Sequence, residues 1–159
     1  MKELMMKAKI MEELLINWKS IDYLNNVKHL NIYSLLGNVL SLDDWNQLQQ
    51  QKIYFNVVFS PGVVSPIEKE ISVGSQIINI EYNLLMQLSQ KQRVAIVLHE
   101  IGHALNPIIK GQEGEFVADD YAIDRGYGEE IRESLNYLID KLPKEFDKPI
   151  NHNRIDRIN

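Results

Sequence analysis

Cysteine is absent from the 159 residues, which excludes disulfides, thiolate metal sites and a cysteine nucleophile. Any metal centre in this chain must therefore be built from histidine and carboxylate. Positive charge is also scarce: 17 Lys and Arg stand against 22 Asp and Glu, for a net charge of −5. Nucleic-acid binding needs clustered basic side chains, so that class of partner is not expected. No apolar run approaches the length of a bilayer span. The opening MKELMMKAKIMEELL is broken by charge every few residues, unlike a secretory leader. These absences lead to the expectation of a soluble, cytoplasmic protein without a membrane span. With 45% hydrophobic and 25% charged residues, the length fits one globular domain with a real core.

What is present is helical periodicity on both sides of a β-rich middle. Leu4, Met11, Leu14, Leu15 and Trp18 share one face, which predicts an amphipathic helix over the first eighteen or so residues. Residues 20–40 continue mostly helical, with Ile21, Leu24, Val27, Leu30, Leu35, Leu36, Val39 and Leu40 as apolar positions. Ser41 followed by Asp44 reads as a capping pair for a short helix through Gln50. KIYFNVVF, residues 52–59, is rich in β-branched and aromatic residues and runs into Ser60-Pro61-Gly62, a strand and a turn. Two more strands are expected at 69–73 and 76–81, joined as a hairpin at Gly74-Ser75. A helix over 129–142 follows later, with Ile131, Leu135, Leu138 and Leu142 on one face and Pro143 as its stop.

Between these lies VAIVLHEIGHALNP, residues 94–107. Ser89 with Gln92 forms a capping box ahead of it, and Asn106-Pro107 ends it, so the run is a helix. It is apolar nearly all round and is expected to be the buried central helix. His99 and His103 are four apart and share a face, where two imidazoles can bind one Zn²⁺ while Glu100 beside them serves as general base. One buried histidine is commonly just a satisfied core residue. Two histidines and a glutamate in the least polar helix of a chain with four histidines are harder to explain that way, because unpaired buried polar groups are costly.

A catalytic zinc usually takes three protein ligands. A His-x-x-Gly-x-x-His continuation is excluded, because positions 106 and 109 hold Asn106 and Ile109. Downstream, GQEGEFVADDYAIDRG predicts a second helix over about 112–125, ended by Gly126. A turn at 107–111 folds its first turn back beside His103. Glu115 is the favoured third ligand, with Asp119, four residues on, holding an imidazole N–H. Asp119 as the ligand itself, or either acid as a solvated helix face, stays open; Glu113 falls one residue off the required face.

HEIGH followed by a helix carrying Glu-x-x-Ala-Asp, here Glu115 to Asp119, with Ala122 and Gly126-Tyr127-Gly128 beyond, resembles the gluzincin metallopeptidases. The likeness is to the branch of the CAAX prenyl proteases and the heat-shock membrane protease, and most of all to their soluble relatives, the minigluzincins. It covers about residues 75–142. The resemblance implies an α+β, helix-rich, zincin-like domain with a small, about three-stranded sheet over the central HExxH helix. It also implies zinc-dependent endopeptidase activity on a peptide or protein bound as an added strand, along about Ile77 to Glu81. The expected organisation is a helical part at 1–50, the catalytic core at 51–142 and a tail at 143–159.

In that reading zinc acidifies water and polarises the scissile carbonyl, Glu100 carries the proton to the leaving amine, and Tyr121, Tyr127 or His152 stabilises the oxyanion. Family members often carry His-Pro ahead of an Arg-Ile pair; Asn151-His152-Asn153-Arg154-Ile155 and Arg157-Ile158 echo this without the proline. The polar tail otherwise reads as a frayed terminus. A sharper alternative has His152 reach the fourth zinc position and keep the enzyme latent, in which case deleting 144–159 raises activity. Two other functions fit the same motif: a regulatory peptidase that cleaves a repressor, and a non-catalytic, zinc-stabilised binding module.

Overall fold

Both serines expected to start helices do so in the computed structural model of the protein, which describes residues 1–14, 35–58 and 74–158. At Ser41 the Asp44 N–H donates to the serine Oγ at 3.1 Å, and the Ser41 N–H donates to Asp44 Oδ2 at 2.8 Å. At Ser89 the Gln92 N–H reaches the serine Oγ at 3.3 Å, and the Ser89 N–H donates to Gln92 Oε1 at 2.9 Å. Each reciprocal pair satisfies two backbone donors that a helix start otherwise leaves to water.

The chain divides after Gln87 into two compact units. The first holds α1 (Lys2–Leu14), α2 (Leu42–Gln50), β1 (Ile53–Val58), β2 (Gln76–Glu81) and the short α3 (Tyr82–Leu85). α1 packs on α2 and β1. Burial in α1 is confined to its last turns, at Ile10, Met11 and Leu14. Leu4, expected on that face, is 64% exposed; Leu15 and Trp18 fall outside the described residues. Trp45 of α2 meets Phe55 of β1 edge to face, with ring centroids 6.4 Å apart, and both are fully buried.

β1 and β2 pair in parallel, in register from Ile53 with Gln76 to Val58 with Glu81. Ile53 and Phe55 on one strand and Ile78 and Ile80 on the other are buried, the alternation of strands with one face on a core. Asn56 Nδ2 donates to Asn79 Oδ1 at 2.7 Å across the pair. A parallel pair cannot be closed by a tight hairpin. The hairpin partner expected at 69–73 lies outside the described residues, so among those described the sheet has two strands rather than three.

The second unit, Leu88–Asn159, is helical among its described residues: α4 (Gln90–Leu105), α5 (Gly111–Ile123), α6 (Gly128–Lys141), α7 (Pro143–Phe146) and α8 (Pro149–Ile158). α4 is its centre. It buries Val94, Ala95, Val97, Leu98 and Ile101 against α5 and α6, each large side chain contributing about 1.5–3 kcal/mol. α6 presents Ile131, Leu135 and Leu138 inward; Leu142, expected with them, caps the helix and is 39% exposed. The tail does not fray. α8 packs on α5 and α6 and buries Asn151 and Arg154. Among the described residues no helix is long and apolar enough to cross a membrane.

Candidate metal centre

The site is a helical hairpin within the second unit. α4 delivers His99 and His103 from its last turns, and the chain then turns through Pro107 and Ile108 into α5. Two glycines set the closeness of this hairpin. A Cβ at Gly102 would sit 2.7 Å from the Ala118 Cα and 3.0 Å from the Tyr121 Cβ, so α5 lies against the bare backbone of α4 at that level. A Cβ at Gly114 would meet the Ile109 carbonyl oxygen at 2.7 Å, which lets the turn fold onto the start of α5. Gly102 thus leaves its face of α4 open to one neighbour, α5.

This approach brings Glu115 between the histidines. Its Oε2 lies 3.5 Å from His99 Nε2, and its Oε1 lies 3.3 Å from His103 Nε2. The imidazole rings stand edge to face, with centroids 4.6 Å apart and planes at 88°. One donor atom from each of the three residues falls within 4.8 Å of the others. That set, two imidazole nitrogens and a carboxylate, is the donor chemistry of a catalytic zinc site with a position left for water. His99 is buried, and His103 and Glu115 are partly open, so solvent reaches one side.

Asp119 stands one helical turn beyond Glu115 and is fully buried. Its Oδ1 lies 2.8 Å from His99 Nδ1. A carboxylate at that atom makes Nδ1 the donor and leaves the Nε2 lone pair for a metal. Asp119 is thus the residue behind the histidine, and Glu115 is the one in front.

Arg154 of α8 completes the cluster; the sequence marked it only as part of the partial Arg-Ile echo and gave it no role at the site. Its Nε donates to Asp119 Oδ2 and its NH2 to Asp119 Oδ1, both at 2.8 Å. Its NH1 donates to Glu115 Oε2 at 2.9 Å and to Asn151 Oδ1 at 3.2 Å. Asn151 in turn donates from Nδ2 to the Phe146 carbonyl at 2.7 Å, which ties the arginine's support to the end of α7. The available signal was Asn151, Arg154 and Arg157, a polar stripe three residues apart along one face of α8.

These contacts set the charges. Burial is the strongest single influence on His99 and opposes its protonation, but Asp119 and Glu115 together outweigh it and raise its pKa. Burial also pushes the Asp119 carboxyl up, and the hydrogen bonds from His99 and Arg154 more than reverse this, holding it below its ordinary value. Glu115 is held well below the usual carboxylate range by His103 and His99, with Arg154 adding to them against burial. Both acids are therefore ionised acceptors at neutral pH.

Of the other residues considered, Glu100 follows His99 on α4, about 100° round the helix, and is half-buried. Glu113 is exposed. Tyr121 carries the Arg125 guanidinium over its ring at 3.5 Å from the centroid. Tyr127 caps the start of α6, and none of the contacts of the cluster among the described residues involves it. His152 lies on the exposed side of α8, where its Nε2 pairs with Asp147 Oδ1 at 2.7 Å. The structure does not bring it to the histidine pair: α8 turns Arg154, two residues on, toward α5 and leaves His152 facing outward.

No family model, no curated protein and no solved structure matches this chain. The reading of its function rests on the site itself.

Proposed function

We propose that the protein is a zinc-dependent metallopeptidase of the gluzincin kind, with His99, His103 and Glu115 as metal ligands and Glu100 as general base. The observation that carries this reading is the convergence of one donor atom each from His99, His103 and Glu115 within 4.8 Å, the Glu115 carboxylate lying against both Nε2 atoms, with Asp119 behind His99 at 2.8 Å. The donor set fits zinc better than calcium or magnesium, which take oxygen ligands almost exclusively.

Zinc held there supplies Lewis acidity, polarising a carbonyl and making water acidic near neutral pH. The protein supplies the rest. Asp119 fixes the His99 tautomer and ring orientation, and Arg154 holds Asp119 by both oxygens. Glu100, on the same helix as the two histidines, accepts the proton of the attacking water and returns it to the leaving amine, so a carboxylate acts in turn as base and acid. The substrate class is a peptide or protein chain.

The test is metal analysis of purified protein together with Glu100→Gln, each assayed on a quenched fluorescent peptide library. One zinc in both proteins and cleavage only by the unmodified one is the expected result. Zinc in both with no cleavage by either turns the site into a metal-stabilised binding module. Absence of bound metal from both under chelator-free conditions removes the proposal.

A further inference from the structure

The third ligand is already held by a cation. Glu115 Oε2, 3.5 Å from His99 Nε2, accepts from Arg154 NH1 at 2.9 Å, while the other two donor atoms of the same guanidinium grip Asp119. Asp119 is fully buried and Arg154 is 7% exposed. Two carboxylates of like sign thus share one buried, permanently charged arginine. Among the described residues, the Lys or Arg contact to both acids comes from Arg154 alone.

From this juxtaposition we infer that Arg154 is a placeholder cation: it keeps Glu115 and Asp119 in ligand geometry when the site is without metal, and competes with the metal for Glu115. The inference rests on the metal reading above. It divides the guanidinium by function. Nε and NH2, paired with Asp119, stay in place whether or not metal is bound, since that carboxylate faces His99 Nδ1 rather than the ligand side. NH1, on Glu115, is the exchangeable contact, because a divalent ion and an N–H donor make competing claims on the same carboxylate.

The sign of the effect on affinity separates this role from an ordinary supporting one. A residue that merely orients a ligand weakens metal binding about 10–100-fold when it is removed. A placeholder does the opposite. Its loss leaves two carboxylates without their cation in a buried site, a state that an incoming dication relieves, and it removes a like charge from beside that dication. The protein without metal is then less stable, and the folded protein binds metal more tightly.

The experiment uses the full chain and its Arg154→Met and Arg154→Lys variants, stripped with chelator, titrated with Zn²⁺ against a chromophoric chelator, and melted with and without Zn²⁺. Arg154→Met is expected to melt lower than the unmodified chain without zinc, to recover most of the difference with zinc, and to bind zinc about tenfold more tightly or better. Arg154→Lys keeps the charge but has no fork for Asp119 and Glu115 together, so it falls between. Equal or weaker zinc binding by a folded Arg154→Met overturns the inference. If Arg154→Met folds under neither condition, the lysine variant decides by the same sign: tighter than the unmodified chain supports the placeholder, equal or weaker overturns it. Failure of the unmodified chain to bind zinc at all is a separate result, which removes the metal reading and this inference with it.

Discussion

α4 and α8 serve the same four side chains and are held in place by opposite means. α4 is anchored by Val94, Val97, Leu98 and Ile101, and its two histidines ride on that apolar support. α8 has little apolar surface to bury; Asn151 and Arg154 are its buried residues. It is fastened to α5 by polar contacts in rows: Asn153 Nδ2 to Gln112 Oε1 at 2.8 Å, Arg154 to Asp119 and Glu115, and Arg157 NH2 to both oxygens of Asp120 at 2.5 and 2.7 Å. The histidine-bearing helix is thus positioned without direction, by volume, whereas the supporting helix is positioned by geometry, donor by acceptor. An apolar anchor tolerates a similar shape; a guanidinium fork tolerates only its own partners.

The comparison breaks most completely at Asp119. Asp119→Ala takes the two-point partner from the buried Arg154, leaving it Glu115 alone, and is expected to cost about 3–5 kcal/mol, read as a fall in the urea midpoint with the slope unchanged. A loss under about 1 kcal/mol means that α8 is not held as described. On the other side, Leu98→Ala leaves a cavity under α4 and is expected to cost about 2–5 kcal/mol. Salt should move neither loss much, because the Asp119–Arg154 pair is buried and buried pairs are screened little; the exposed Arg157–Asp120 pair is the one that a molar of sodium chloride should weaken.

Smaller changes sharpen the contrast. Gly102→Ala forces α5 away from α4 and is expected to cost about 1–3 kcal/mol while loosening zinc binding, measurable by chelator competition; unaltered affinity would mean that the hairpin spacing does not set the ligand distances. Arg157→Ala removes an exposed pair, with expected losses of about 0.2–1 kcal/mol in the same denaturation series, far below those of Asp119. His152→Ala should stay within about 0.5 kcal/mol of the unmodified chain and leave zinc stoichiometry unaltered, as fits a side chain paired outward with Asp147. Deleting 144–159, which the latent reading expects to raise activity, takes Arg154 away and is expected to lower the melting temperature of the metal-free protein instead.

The same contrast explains what could be read from the amino acids. α4 was legible because apolar periodicity, a capping box at Ser89 and a proline stop all act locally and agree. Glu115 and Asp119 were legible as a pair because a four-residue spacing fixes them on one face of a helix whose start is close in sequence to His103. Arg154 was not, since its partners are 35 residues away and nothing within α8 distinguishes a solvated arginine from one folded under. The same holds for the sheet: β1 and β2 were recognisable by composition, but their parallel pairing joins segments whose contact no local rule encodes.

The reach from Asp119 to Arg154 also orders events in time. During synthesis at about 5–20 residues per second, His99, His103, Glu115 and Asp119 emerge some seconds before Arg154 does. Over that interval the two acids and the imidazoles are on the chain and the arginine that rivals a metal for Glu115 is not. On the proposed metal reading, a nascent chain meets zinc with its ligands exposed and its competitor still unmade, so the moment of easiest loading falls before the fold is finished.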